Sequence, residues 1–300
     1  MARRTGDAIL HPHDRSALAG GSTTGDDQIL PETRWAGACI PPFLIVAFIM
    51  LYFFPGHTKE LFAWTINPPM TPLLMGAGYI AGSYFFVRLT MGGKWHRFTL
   101  GFLPITTFTW FMGLATVLHW DKFNHAHISF YVWLALYVVT PFLVPALWLR
   151  NRATDPGTLA TGDVEVPLAV RWVAGVSGGA LLLIALFMFA VPTRAVGVWP
   201  WKLTPLTARV VAGWFALTGV TGICCATDRR WSAWRIILES QIIGIALILV
   251  GVARAWGDFD PKKATTAMFV VGLSLVLAFF VGIHVCLDAQ RRKAVVAAAR

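Results

Sequence analysis

Charged side chains are scarce in this sequence. Asp, Glu, Lys and Arg make up 13% of its 300 residues, whereas hydrophobic residues make up 56%. A soluble domain carries roughly 25% charged residues, because its surface has to face water. The composition therefore excludes an ordinary soluble domain and predicts an α-helical membrane protein.

Several patterns of metal, nucleotide and DNA sites are also missing. None of the four cysteines belongs to a Cys-x-x-Cys pair: Cys39, Cys224, Cys225 and Cys286. They predict neither a zinc module nor a disulfide framework. The sequence has no Walker A and no His-Glu-x-x-His motif. Its net charge is +10, but the basic residues flank apolar runs in ones, twos and threes, which indicates membrane orientation signals and no nucleic-acid partner. No catalytic constellation emerges, which argues against an enzyme.

Eight apolar segments are long enough to cross roughly 30 Å of hydrocarbon. They lie at about 36–54, 71–89, 98–118, 127–149, 169–191, 206–226, 232–253 and 265–287. The polar residues before them predict a disordered tail and not a signal peptide. The predicted organisation has five parts: a cytoplasmic tail at 1–34, a first four-helix repeat at 35–152, a linker at 153–168, a second four-helix repeat at 169–288 and a basic tail at 289–300.

The positions of Lys and Arg predict the orientation of these segments. With eight spans, both termini lie on one side of the membrane, and 17 of the 25 Lys and Arg residues fall on that side. Basic residues are retained in the cytoplasm. The sequence therefore predicts a multi-pass protein of the cell (plasma or inner) membrane with both termini in the cytoplasm.

The two halves of the sequence resemble each other. "FFPGHTKELFAWTINPPMTPLLMGAGYIAGS" after the first segment corresponds to "FAVPTRAVGVWPWKLTPLTARVVAGWFALTG" after the fifth, and "LHWDKFNH" to "ARAWGDFD", at offsets of 133 to 136 residues. In both Thr-Pro-Leu stretches we expect Thr71 and Thr204 to cap a helix, with Pro72 and Pro205 in its first turn. The pattern predicts an all-α fold of two parallel-oriented four-helix repeats (4+4) around an axis along the membrane normal.

A histidine cluster lies in the stretch "LHWDKFNHAHISF". Four candidate ligands fall within nine residues there: His119, Asp121, His125 and His127. His57 belongs to the preceding loop on the same side. Imidazoles with a carboxylate can hold Zn²⁺ or Cu²⁺, and two imidazoles can ligate haem. The alternative is that these are interfacial histidines that face water and lipid head groups.

Glu239 is the most unusual polar residue of the apolar segments. An acid about two turns inside a span is costly, so it is a candidate substrate, ion or proton site, with Gln241 beside it. The alternative is an ion pair with Arg235, four residues earlier on the same helical face. Arg209, near the start of the sixth segment, is expected to reach the outer interface or to meet an anionic substrate there.

The stretch "WPWKLTPLTARVVAGW" (residues 199–214) resembles segments of uncharacterised bacterial multi-pass membrane proteins. The resemblance implies no activity, cofactor or residue role. Three functions stay open. The first is a small-solute or ion carrier with a path between the repeats. The second is a non-catalytic subunit or scaffold of a membrane complex, and the third a haem- or metal-binding redox protein that uses the outer histidines. The predicted partners are the lipid bilayer and either further copies of the chain or a larger complex.

Overall fold

The computed structural model of the chain describes residues 25–298, which are almost entirely helical. This part of the chain contains eight helical segments that are long and apolar enough to cross a membrane, here called spans 1 to 8: Pro31–Phe53, Met70–Met91, Thr99–Leu118, Ile128–Thr154, Leu168–Ala190, Pro205–Thr227, Trp231–Arg254 and Ala264–Ala298. The protein is accordingly a polytopic membrane protein. Both ends of the described chain lie on one side of the bundle, the terminal side, and the opposite side is the far side.

The structure differs from the predicted boundaries at both ends of the chain. Span 1 begins at Pro31, and the residues from 25 to 30 are tied to the bundle by Asp27 and Leu30, so this stretch is not a disordered tail. Residues 1–24 of the predicted tail lie outside the described residues. Span 8 continues as one helix to Ala298 because "AQRRKAVVAA" consists largely of good helix formers. Its 35 residues rise about 52 Å, so the basic end extends beyond a 30 Å hydrocarbon layer.

Span 1 is divided into three segments. An α-helix over Pro31–Cys39 gives way at Ile40 to a second helix over Pro41–Phe48, followed by a π-helical turn over Ile49–Phe53. Proline cannot donate a backbone hydrogen bond, so Pro41 and Pro42 fit the first turn of a new helix. The expected cap is present at Thr204, whose hydroxyl accepts from the backbone N–H of Thr207. It is absent at Thr71, because span 2 begins at Met70 and the Thr71 hydroxyl accepts instead from the indole of Trp201, at 2.9 Å.

The eight spans form an inner and an outer layer. Spans 2, 3, 6 and 7 bury 39–72% of the residues in their most apolar windows, whereas spans 1, 4, 5 and 8 bury only 6–28%. Consecutive spans pack as hairpins (1 with 2, 3 with 4, 5 with 6, 7 with 8). The inner layer is held together across the two halves of the chain, because span 2 packs on span 7 and span 3 on span 6. The halves are therefore interlocked and do not form two separate bundles.

Candidate functional site

A central cavity of about 470 Å³ lies among the spans, and residues from all eight spans line it. Ligand pockets commonly have roughly 300–1,000 Å³, so this space accommodates a small organic molecule. The described residues that line it are overwhelmingly apolar and include no Asp, Glu, Lys, Arg or His. The cavity is thus a neutral, apolar compartment inside the membrane-spanning part of the protein.

Trp214 forms much of one wall. Its ring lies against Gly78, where a side-chain carbon would approach the indole to 2.4 Å. The ring contacts Phe108 at a centroid distance of 4.4 Å and Tyr79 at 5.3 Å. Only glycine allows the indole to approach span 2 this closely. Gly78 therefore shapes the cavity wall where span 2 meets span 6.

Few polar groups of the cavity are left without a partner inside the protein. Thr218 and Thr221 donate to carbonyl oxygens one turn earlier in their own helix, and Ser240 donates to the carbonyl of Ala81. The hydroxyls of Tyr79 and Tyr137 bond to each other at 3.2 Å, with the two residues 4% and 8% exposed. Thr109 and Thr140 likewise donate to carbonyl oxygens of their own helices. Within residues 25–298, the amide of Gln241 makes no hydrogen bond, and the buried indole Nε1 of Trp214 has no partner. Of the predicted substrate residues, Gln241 is the one that lines the cavity.

Glu239 lies outside the cavity lining, in an ion-pair network near the terminal side. The predicted pair with Arg235 is present, with 3.0 Å between Arg235 Nε and Glu239 Oε1. The other carboxylate oxygen lies 3.1 Å from Nη1 of Arg88 and accepts a short hydrogen bond from the Tyr84 hydroxyl. Arg235 Nε also lies 3.3 Å from Asp288 Oδ1, without the alignment of a hydrogen bond to either acid. A role of Glu239 and Arg235 in substrate or proton binding stays a prediction.

Arg209 and His119 meet on the far side. Nη1 of Arg209 lies 2.6 Å from Nε2 of His119, and Nε of Arg209 donates to the carbonyl of Phe189. Because a guanidinium only donates, Nε2 of His119 accepts and the proton of the neutral ring is on Nδ1. Burial, reinforced by the Arg209 charge, lowers the pKa of His119 below its usual value. Arg209 therefore has a partner from span 3 that the sequence did not indicate.

The other predicted ligands of the far side make separate contacts. His125 packs on the rings of Trp120 and Phe130. The ring of His127 accepts a hydrogen bond from the backbone N–H of Ser129. Asp121 forms an ion pair with Lys122 at 2.7 Å, and His57 is exposed. Within residues 25–298, no group of three or more His, Cys, Asp or Glu side chains is arranged to hold a metal ion. The structure thus does not gather these histidines into such a group, and haem or metal binding stays a prediction.

A buried hydrogen-bond chain on the terminal side was missed by the sequence analysis. Asp27 Oδ2 lies 2.6 Å from Nδ1 of His96, Nε2 of His96 lies 2.8 Å from Oγ of Ser232, and that hydroxyl donates to Asp163. The Ser232 hydroxyl thus connects the ring of His96 to the carboxylate of Asp163. Two residues from each half of the chain are joined in this way, and His96 is only 3% exposed.

A second buried cluster beside it holds Arg230, whose side chain is 7% exposed. Its guanidinium donates two hydrogen bonds to Asp155, at 2.6 and 2.9 Å, and also binds Asp228, at 2.6 Å. Burial opposes ionisation of Asp155, but the Arg230 guanidinium outweighs it and lowers the pKa of this carboxyl below its usual value. The two acids in turn raise the pKa of Arg230 despite its burial. Both clusters join the segments that connect the spans on the terminal side.

One sequence pattern of hydrolases is present but has a packing role. "GVSGG", from Gly175 to Gly179, matches Gly-x-Ser-x-Gly. That motif needs a turn between a strand and a helix, whereas this stretch lies within span 5, and the Ser177 hydroxyl donates to the carbonyl of Val173 at 2.6 Å. Gly178 instead lets span 5 approach span 6, since a side-chain carbon there would lie 2.6 Å from the carbonyl oxygen of Gly219.

Comparison of the chain with protein-family models, with curated proteins and with solved structures found no significant match.

Proposed function

We propose that the protein is a membrane carrier for a lipophilic or amphipathic molecule, which occupies the central cavity between the two halves of the chain. The observation that carries this proposal is the cavity itself, which all eight spans line and which has no charged side chain in its wall. An ion or a strongly polar solute would lose its hydration there without compensation. Within the carrier hypothesis, the apolar wall therefore favours a lipid-soluble molecule over an ion.

Access from the bilayer supports such a ligand. Two residues of the cavity wall, Met268 and Val276 in span 8, are 71% and 39% exposed. Span 8 packs on span 7 and exposes most of its apolar surface. A molecule dissolved in the lipid can thus approach the cavity along this span without passing through water.

Recurring contacts support the proposal that the chain is a 4+4 repeat. The backbone N–H of Asn124 donates to the carbonyl of Ala63 at 2.8 Å, and that of Asp260 donates to the carbonyl of Pro200 at 3.0 Å. The ring pairs Trp64–Phe123 and Trp201–Phe259 both have a centroid distance of 5.1 Å. Each contact in the first half has a counterpart 136–137 residues later.

The packing of the spans is consistent with a two-fold axis through the cavity. A two-fold rotation that exchanges the halves would place span 2 on span 6 and span 7 on span 3. The contact of span 2 with span 7 then corresponds to the contact of span 6 with span 3, and both contacts are present. The cavity wall includes Leu136 and Gly272, and likewise Val144 and Phe280, at an offset of 136 residues. Duplicated carriers bind their substrates at the interface of their repeats. This arrangement favours a carrier over a scaffold.

The test is to fill the cavity. Gly272→Phe places a ring where a side-chain carbon meets no atom within 4 Å, in the cavity wall. Gly282→Phe is the matched control, because it lies in the same span, is exposed, has equally open surroundings and does not line the cavity. Each protein is purified from its native membrane, and its bound small molecules are identified by mass spectrometry. We expect a stoichiometric molecule with the unaltered protein and the control, and none with Gly272→Phe.

Equal amounts in both variants would contradict the proposal. If the molecule is found, its exchange between the leaflets of proteoliposomes separates a carrier from a protein that only binds: a carrier accelerates the exchange, and Gly272→Phe does not. A stoichiometric protein partner without a small molecule would instead support the scaffold alternative. A Soret band in the absorption spectrum of the same sample would support the redox alternative.

A further inference from the structure

Three polar side chains of the cavity lie in the middle part of their spans. Tyr79 is nine residues from the far-side end of span 2, and Tyr137 is nine residues from the far-side end of span 4. Gln241 is ten residues from the terminal-side end of span 7. At 1.5 Å per residue these positions are about 14–15 Å from the helix ends, near the middle of a 30 Å hydrocarbon layer.

One of the two hydroxyl protons of the Tyr79–Tyr137 pair has no hydrogen-bond acceptor within the described residues. Each hydroxyl has one proton, and the bond between Tyr79 and Tyr137 uses one of the two. The second proton has no acceptor among residues 25–298. Both residues are more than nine-tenths buried and line the cavity. Since the hydrocarbon offers no water, this proton requires an acceptor inside the cavity.

Gln241 adds an amide to the middle part of the cavity wall. Its side chain lines the cavity and makes no hydrogen bond to the described residues, so its N–H groups are available. The nearby hydroxyls do not compete for a ligand, because Thr218, Thr221 and Ser240 donate to backbone carbonyls. An apolar compartment thus has hydrogen-bond donors from spans 2, 4 and 7 in its wall.

We infer that the cavity binds a neutral, mainly apolar molecule that carries a carbonyl oxygen, as a ketone, quinone or ester does, with this oxygen bound by the Tyr79–Tyr137 pair and Gln241. The inference rests on the proposed function in one respect, namely that the cavity is the binding site. A charged ligand has no counter-charge in the wall, and a pure hydrocarbon leaves the tyrosine proton without an acceptor.

The experiment compares two probes that differ only in the carbonyl. 9-Fluorenone carries a C=O where fluorene carries a CH₂, and both are neutral and rigid. Binding of each radiolabelled probe to the purified protein is measured in the same detergent, so partitioning into micelles cancels between variants. We expect Tyr79→Phe combined with Tyr137→Phe, and separately Gln241→Leu, to weaken fluorenone binding roughly fivefold. Fluorene binding stays unchanged.

The single tyrosine variants make the prediction sharper. Removing either hydroxyl frees the other to donate to the ligand, so Tyr79→Phe alone and Tyr137→Phe alone retain fluorenone binding, whereas the double variant shows the roughly fivefold weakening. Tyr131→Phe is the control, because Tyr131 is in span 4 but is 55% exposed and outside this cavity. Replacing both partners of a buried hydrogen bond by isosteric Phe is close to neutral for stability, and Gln241→Leu tests the ligand class independently.

Two failures are distinguishable. If Gly272→Phe abolishes binding of both probes but the double tyrosine variant and Gln241→Leu leave the fluorenone-to-fluorene ratio unchanged, the cavity is the binding site and the inferred ligand class is wrong. If Gly272→Phe changes the binding of neither probe, the cavity is not the site, and both the ligand class and the proposed function fail.

Discussion

Arg230 shows how a buried charge is retained on the terminal side. An isolated cation that is 7% exposed would be strongly unfavourable, but Arg230 is held by two carboxylates, Asp155 from the segment after span 4 and Asp228 from the segment before span 7. The ion pairs of Arg230 with Asp155 and Asp228 thus join two connecting segments. An exposed pair of the same region, Arg229 with Glu165, has both side chains more than half exposed and stabilises far less.

The contribution of Asp155 should depend on pH. We expect Asp155→Asn to lower the free energy of unfolding at pH 7 by about 1–3 kcal/mol, since the carboxylate charge and one of the two hydrogen bonds to Arg230 are lost. The pKa of Asp155 is lowered in the folded protein, so its contribution is complete above the unfolded pKa of about 4. That contribution is lost as the pH falls through the lower, folded value.

Thermal unfolding in detergent between pH 7 and pH 3 measures this effect. The difference between the unaltered protein and Asp155→Asn is largest at pH 7 and shrinks below about pH 4. Glu165→Gln is the control and changes stability by about 0.5 kcal/mol or less, because both side chains of its ion pair are exposed. A pH-independent difference for Asp155→Asn would refute the role assigned to its charge.

At the level of elements, spans 5 and 6 approach each other most closely. A side-chain carbon at Gly178 would lie 2.6 Å from the carbonyl oxygen of Gly219 and 2.9 Å from the backbone nitrogen of Ile223. These are backbone atoms, which cannot move without displacing a helix. In lipid, the hydrophobic effect does not drive the association of helices. Small residues at such contacts allow close van der Waals packing, which stabilises the association instead.

Two neighbouring glycines provide a matched test of this packing. Gly178→Ala should lower the free energy of unfolding by about 1–3 kcal/mol, because the added methyl group forces spans 5 and 6 apart. Gly179→Ala places its methyl where no atom lies within 4 Å, so it should be neutral or stabilise by up to about 1 kcal/mol through helix propensity. Unfolding in a titration of denaturing detergent measures both. Equal effects of the two variants would show that the contact does not limit stability.

Some elements could be predicted from the sequence because their causes are local. Apolar runs of about 20 residues match the thickness of the hydrocarbon, which is why all eight spans were predicted. The Glu239–Arg235 pair and the Thr204 cap follow from spacings of four and three residues. The predicted helix cap at Thr71 was wrong because the Thr71 hydroxyl accepts a hydrogen bond from the indole of Trp201, which is 130 residues away.

Other parts of the site depend on contacts that no local spacing reveals. Arg88 reaches Glu239 across 151 residues, and His96 reaches Ser232 across 136. Inner spans are apolar on nearly all sides, so hydropathy does not show which face meets which neighbour. Asp27 was placed in a disordered tail because its segment is polar, yet its carboxylate binds the backbone and the ring of His96. The cavity follows from the packing of all eight spans and could not be predicted.

At the scale of the whole molecule, the two sides of the bundle are built differently. On the terminal side, buried ionic clusters around His96 and Arg230 join the connecting segments. On the far side, the loops pack through aromatic rings, among them Trp64 on Trp133 at a centroid distance of 4.8 Å and Trp201 on Phe269 at 5.1 Å. In the proposed carrier, the cavity thus lies between polar contacts on the terminal side and aromatic contacts on the far side.

The orientation of these two sides in the cell membrane stays a prediction, and it can be tested by labelling. Between residues 25 and 298, the terminal side holds 13 of the 21 Lys and Arg residues, which favours its retention in the cytoplasm. Single cysteines are introduced at His125, which is exposed on the far side, and at Lys94, which is exposed on the terminal side, in a variant without the four native cysteines. We expect a membrane-impermeant maleimide to label position 125 in intact cells, but position 94 only after permeabilisation. The reverse pattern would invert the orientation while leaving the eight spans intact, and labelling of both positions in intact cells would contradict the prediction that span 3, which lies between positions 94 and 125, crosses the membrane.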